Sequence, residues 1–252
     1  GGSLSNELYL PAIMWNAGHG FTITNVDEVP ALRDFFSLKT VSLDIASLPD
    51  DITVLQPDPV HLFHNNLIGF VALTWHFLGI SWDSVKIILI AFFFISAMLV
   101  FLICRLALPI SWSCLVTLGF VCNESVLNSL FALRDFSKAP FILFVVLLLG
   151  IAIKHRLNWK RYIFFALLIG CCFGVGMGFR RDMQALLPLS IVLLCTCRIQ
   201  AVRCAWLVRP AAALIMLLSF LAAGWLAISA LYPERYLNTH DLIMGFATSA
   251  DD

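Results

Sequence analysis

Charge is what this 252-residue sequence has least of. Asp, Glu, Lys and Arg together make up 13% of it, against about 25% in a soluble domain. Residues of the hydrophobic class make up 60%, and the mean hydropathy is +0.90. A water-facing globular surface cannot be built from so few charges, which excludes an ordinary soluble domain. The 8 Cys form no CxxC pair and no His-spaced set, which argues against a disulfide framework or a zinc module. Adjacent Cys171 and Cys172 are better used as small apolar packers. Gly170, Gly174 and Gly178 recur every fourth residue, but no strand precedes them. They are therefore a close-packing helix face rather than a phosphate-cradling loop. Net charge is zero, and no nucleic-acid partner is expected.

Long apolar runs are what remain. They predict an all-α, polytopic transmembrane helix bundle with about six spans: Ser84–Cys104, Leu106–Cys122, Pro140–Ile153, Tyr162–Phe179, Met183–Cys197 and Pro210–Leu231. Residues 1–64 contain no span. They carry Glu7, Asp27, Glu28, Asp34, Asp44, Asp50, Asp51 and Asp58 against only Arg33 and Lys39, and read as a large acidic extracytoplasmic loop. Asn65 to Trp82 is apolar but short and contains His76, as an interfacial or re-entrant helix would. Residues 83–231 form the bundle, and 232–252 open a further extracytoplasmic segment. The chain starts Gly-Gly-Ser and stops just after that segment begins. It reads as a fragment missing at least one upstream span.

The few charges sort by side. Lys154, Arg156, Lys160 and Arg161 cluster without an acid, which marks a cytoplasmic connection. Alternation then places Arg105, Arg198, Arg203 and Arg209 on the same side. All 16 carboxylates fall on the other. The expected setting is a multi-pass protein of a bacterial inner (plasma) membrane, surrounded by membrane lipid.

Candidate chemistry lies on the acidic side. Leu133-Arg134-Asp135-Phe136-Ser137-Lys138-Ala139-Pro140 packs three charges into five residues between apolar runs. Arg180-Arg181-Asp182 closes another span. Cations on this side run against the positive-inside bias. Arg134, Lys138, Arg180 and Arg181 therefore either converge on a phosphate or pair structurally with Asp135 and Asp182. Glu7, ahead of a short helix, is either a general base, a metal ligand or a solvated carboxylate. Asp58, His61 and His64 have the spacing of weak metal ligands or of polar caps on an interfacial helix.

The order of elements resembles the GT-C superfamily of polytopic glycosyltransferases. Asn6-Glu7-Leu8-Tyr9 through Gly18-His19-Gly20-Phe21 is similar to the start of the large outer loop in that family. His64-Asn65-Asn66-Leu67 through Phe77-Leu78-Gly79-Ile80-Ser81-Trp82 is similar to its interfacial helix, and Phe179-Arg180-Arg181-Asp182 stands where many members have a Thr-Arg/Lys-x-acid motif. Asn6 departs from a common Asp, and Asn65-Asn66 from two common prolines. The resemblance implies transfer of a sugar from a polyprenyl-phosphate donor on the outer side. Glu7 is then the base or the ligand of a divalent metal ion. Arg134, Lys138, Arg180 and Arg181 are donor-phosphate candidates by their side of the membrane alone. The alternatives are a transporter subunit or a non-catalytic membrane scaffold.

Overall fold

The computed structural model describes residues 6–49, 51–130, 133–155, 157–197 and 205–225. Arg156, Arg198 and Arg203 of the basic set, and the 232–252 segment, lie outside them. The described residues are helical. Their only β features are two isolated bridges, Ile23 with Leu55 and Ser42 with Ser81.

We number the helices α1 (Leu10–Asn16), α2 (Pro30–Phe36), α3 (Pro59–Phe63), α4 (Asn65–Leu78), α5 (Trp82–Arg105) and α6 (Ile110–Val121). Then follow α7 (Glu124–Ser129), α8 (Leu133–Phe136), α9 (Ala139–Lys154), α10 (Trp159–Met177), α11 (Leu187–Thr196) and α12 (Ala205–Ala223). Four stretches are long and apolar enough to cross a membrane: Trp82–Arg105, Leu133–Lys154, Trp159–Met177 and Trp206–Ala223. The other two expected spans are shorter. Leu106–Cys122 becomes the 12-residue α6, because Pro109 delays its start and Asn123 caps a new helix. Met183–Cys197 becomes a 3-10 turn, Arg181–Leu186, running into the 10-residue α11. At 1.5 Å per residue neither alone reaches the ~30 Å of a hydrocarbon core.

Opposite ends of the bundle differ in charge. At the basic end, Lys154 on α9 donates to the Leu106 carbonyl beyond α5. At the acidic end, α8, α9 and the Arg181–Leu186 turn meet through ion pairs described below. Between the ends, α10 packs along α12. A Cβ on Gly170 would overlap the Met216 carbonyl and Ser219 Oγ. One on Gly174 would lie 2.6 Å from the Phe220 carbonyl oxygen. Without solvent to drive apolar contact, close backbone approach supplies the attraction.

Residues 6–64 fold as a cap on the acidic end. Helix α1 is buried along most of its length, with Ala12, Ile13 and Met14 fully enclosed. It lies on α4, whose Leu67, Ile68, Val71, Ala72 and Trp75 face inward. Asn16 Nδ2 donates to the Ala72 carbonyl at 3.0 Å. The opposite face of α4 is also apolar, and Phe77 is 75% exposed there. A helix of 14 residues is about 21 Å long, too short to cross. Gly79, with φ of 83°, ends it in a backbone region that favours glycine. Ser81 then caps α5 by accepting from the Ser84 amide at 3.1 Å.

Two helix ends meet at a junction that accounts for Asn66. The Gly178 carbonyl, just past α10, accepts from the Asn66 and Leu67 amides at 3.1 and 3.3 Å. The Asn66 side chain donates to the Val175 carbonyl at 2.8 Å. Open amides of α4 thus satisfy open carbonyls of α10. Proline at position 66 would remove one of these donors.

Candidate functional site

The charged knot forms as its sequence suggests. Leu133 and Phe136 turn inward and are buried, while Arg134 and Asp135 stay exposed. Ser137 Oγ donates to the Arg134 carbonyl at 3.0 Å and closes the turn. From α10, buried Phe179 packs on Phe141 at 4.8 Å between centroids. That contact carries Arg180 onto the knot.

A network of five residues joined by four ion pairs results. Arg180 bonds Asp135 through Nη1 and approaches Asp182 through Nε at 3.3 Å. Lys138 bonds the same Asp182. Arg134 Nε lies 3.6 Å from Asp135. The Arg180 and Lys138 side chains are 29% exposed and both carboxylates 46%, so water screens each pair and only the network as a whole has much weight. Arg181 forms no ion pair with the described residues. Its guanidinium sits 5.2 Å from the Phe63 ring centroid, in cation–π range.

Beside the knot runs a groove of about 810 Å³. Tyr9, Trp82, Val85, Leu89, Ile90, Phe93, Leu127, Leu130 and Leu133 give it a mainly apolar lining, while Asn6, Lys86, Glu124, Asn128, Arg134 and Asp135 supply polar groups. Lys86 is held by Asp83 at 2.6 Å. Burial pushes the Tyr9 phenol above its ordinary value; nearby Arg134 opposes this and Asp135 adds to it. Tyr9 is therefore a neutral hydroxyl in the groove wall.

Glu7 does not line this groove. It lines a separate cavity of about 220 Å³ with Asp27, Asp58 and His61. Asn6 and Glu7 are adjacent in sequence yet serve different cavities. The metal candidates are not assembled into a ligand set. Among the described residues, no group of three or more His, Cys, Asp or Glu is placed to hold a metal ion. His64 Nδ1 faces the Val60 carbonyl at 2.8 Å, and His61 Nε2 faces the Glu7 carbonyl at 3.4 Å. Burial lowers the pKa of both imidazoles. The Glu7 carbonyl, Asp58 and Glu7 partly oppose this at His61; at His64 the Val60 carbonyl opposes it while Arg134, Arg180 and His61 reinforce it.

The structure thus brings together Arg134, Asp135, Lys138, Arg180 and Asp182, although about forty residues separate the two motifs. Arg181 sits against α3, Glu7 and His61 share the small cavity, and Glu124 joins the groove. In the sequence Glu124 lies in the polar break after the Leu106–Cys122 run. Its cue is a carboxylate next to Asn123 and one helical turn before Asn128. No family model, curated protein or solved structure matches the chain.

Proposed function

We propose that this chain is a membrane glycosyltransferase that takes a sugar from a polyprenyl-phosphate donor on the outer side of the membrane. The observation that carries this is the groove: a mainly apolar channel lined by α5, α7 and α8 with Arg134 among its polar groups. An isoprenyl chain fits the apolar wall, and a phosphate fits the guanidinium. Arg180 and Lys138 hold Asp135 and Asp182, so their part is to position the knot, and the phosphate contact falls to Arg134. As the sugar leaves, charge builds on the phosphate, and a fixed cation beside it stabilises that charge. Glu7, in the separate smaller cavity, serves the acceptor as base. The full topology has six spans, with the short α6 and α11 completing their crossings through flanking turns. The cap lies outside, and α4 lies in the interface with Phe77 in lipid.

The test is binding of farnesyl phosphate to the chain in phosphatidylcholine nanodiscs. Arg134→Gln should weaken it roughly tenfold or more, since a charge-assisted hydrogen bond contributes about 1.5–3 kcal/mol. Unchanged affinity would remove the donor site from this groove. Orientation is checked separately. In a cysteine-free background, an impermeant thiol reagent added outside should label Lys39→Cys and not Lys160→Cys. The reverse pattern would put the groove on the wrong side for an outer donor.

A second role, a non-catalytic scaffold, is favoured by the ion-pair network, since structural pairing alone accounts for Arg180 and Lys138. It predicts no isoprenyl-phosphate binding at all.

A further inference from the structure

The charges around the groove sum to zero. Lys86 and Arg134 are set against Glu124 and Asp135. A site for a diphosphate or a doubly charged phosphate would gather an excess of cations. Three of these four groups are already engaged: Lys86 with Asp83, Asp135 with Arg180, and Arg134 near Asp135. Glu124 differs. It forms no ion pair among the described residues, and it stands exposed at the first turn of α7. Asn128, one helical turn further on, lines the groove with it.

We propose that Glu124 is a specificity-determining residue that makes the groove select a singly charged lipid phosphodiester over the more highly charged lipid phosphomonoester. This rests on the donor role proposed above. The chemistry of transfer gives the selection a use. A sugar linked through phosphate to an isoprenyl chain is a phosphodiester carrying one negative charge. When the acceptor oxygen bonds to the anomeric carbon, the bond from that carbon to the phosphate oxygen breaks. Its electron pair stays on the phosphate, and the acceptor proton passes to a base. The spent lipid is a phosphomonoester, whose second ionisation lies near pH 6, giving it a charge of about −1.5 to −2 at neutral pH. Arg134 attracts both forms. Glu124 repels the spent form more, because Coulomb repulsion grows with the charge it meets. The groove therefore holds the loaded donor and sheds the product.

The probes are farnesyl phosphate and its methyl diester, bound to the full chain in phosphatidylcholine nanodiscs. The wild-type chain should prefer the diester. Glu124→Gln should tighten the monoester roughly fivefold, a modest figure because the groove is open to water, and leave the diester within about twofold. Glu124→Asp keeps the charge and should keep the wild-type preference. Lowering the pH to about 5 protonates the monoester and should narrow the wild-type gap. If Glu124→Gln moves both probes equally or neither, or if Glu124→Asp behaves like Glu124→Gln, the selectivity role is overturned while the donor groove stands. If the wild-type chain binds neither probe, or if added phosphatidylglycerol displaces the diester, the groove is not an isoprenyl-phosphate site. The donor role then fails and takes this inference with it.

Discussion

The cap and the α10–α12 contact solve the same packing problem with opposite materials. Where the cap meets α4 and α5, large aromatics interlock. Trp75 meets Tyr9, Phe35 and Trp82 edge-on at 6.0–6.4 Å, and Phe35 stacks on Trp82 at 4.8 Å. In the bundle, Gly170 and Gly174 let one backbone touch another. The difference follows from the solvent each region leaves behind. Burying an aromatic ring from water is strongly favourable. Burying one from lipid gains little, so the bundle relies on close fit and dispersion instead.

This contrast can be broken from either side. The largest expected effect is Trp75→Ala. It removes a buried ring and the Nε1 hydrogen bond to the Ser81 carbonyl at 2.9 Å, a loss of about 3–5 kcal/mol. Limited proteolysis should then cut within 6–64 while the span fragments survive. Simultaneous collapse of the bundle would mean that cap and bundle are one cooperative unit.

Next is Gly174→Leu, where the new side chain would meet the Phe220 carbonyl and the Ala223 Cβ at 2.6 and 2.7 Å. Overpacking of this kind costs about 1–3 kcal/mol, read as a lower melting temperature in detergent. An unchanged melting temperature would place this face against lipid.

Arg180→Gln should do less, under about 1 kcal/mol, with the loss shrinking in high salt. Farnesyl phosphate affinity should stay within about threefold, since Arg180 lies outside the groove lining; a tenfold loss would promote it from positioning group to ligand.

The smallest effect is on pH dependence. His61 and His64 have pKa values depressed in the folded chain. The unfolded chain therefore binds more protons below about pH 6.5, the ordinary imidazole value. Stability should be fully present above that pH and decline as pH falls toward the depressed values. His64→Gln should flatten part of the decline. An identical acid profile would show that the buried His64 imidazole does not set it.

Much of the bundle is legible from one-dimensional information. Apolar run length alone finds the four long helices, because hydrocarbon thickness is a length criterion. The grouping of Arg134, Asp135 and Lys138 with Arg180 and Asp182 also follows from sequence, since charges avoid hydrocarbon and only one end of the bundle is open to these motifs. What sequence does not carry is rotation. Glu7 and Tyr9 are two residues apart, yet the turn before α1 sends them to different cavities. Likewise Glu124 reaches the groove only because α7 restarts after Asn123, whose side chain accepts from the Val126 amide at 3.2 Å. Periodicity identifies a helix; its angle about its own axis is set by distant partners. The shortened α6 was more accessible, since Pro109 and Asn123 bracket it in the sequence.

On the proposed topology, the junction at Gly178 should make the chain responsive to bilayer thickness. Two amides and one side chain of α4 grip the end of α10, so α4 cannot move independently of that helix. In a thinner bilayer α10 must tilt to keep its apolar length covered, and the tilt draws the N-terminal end of α4 with it. α4 forms the floor beneath Tyr9, so hydrophobic mismatch at one span reaches the groove wall as a shift in one aromatic ring.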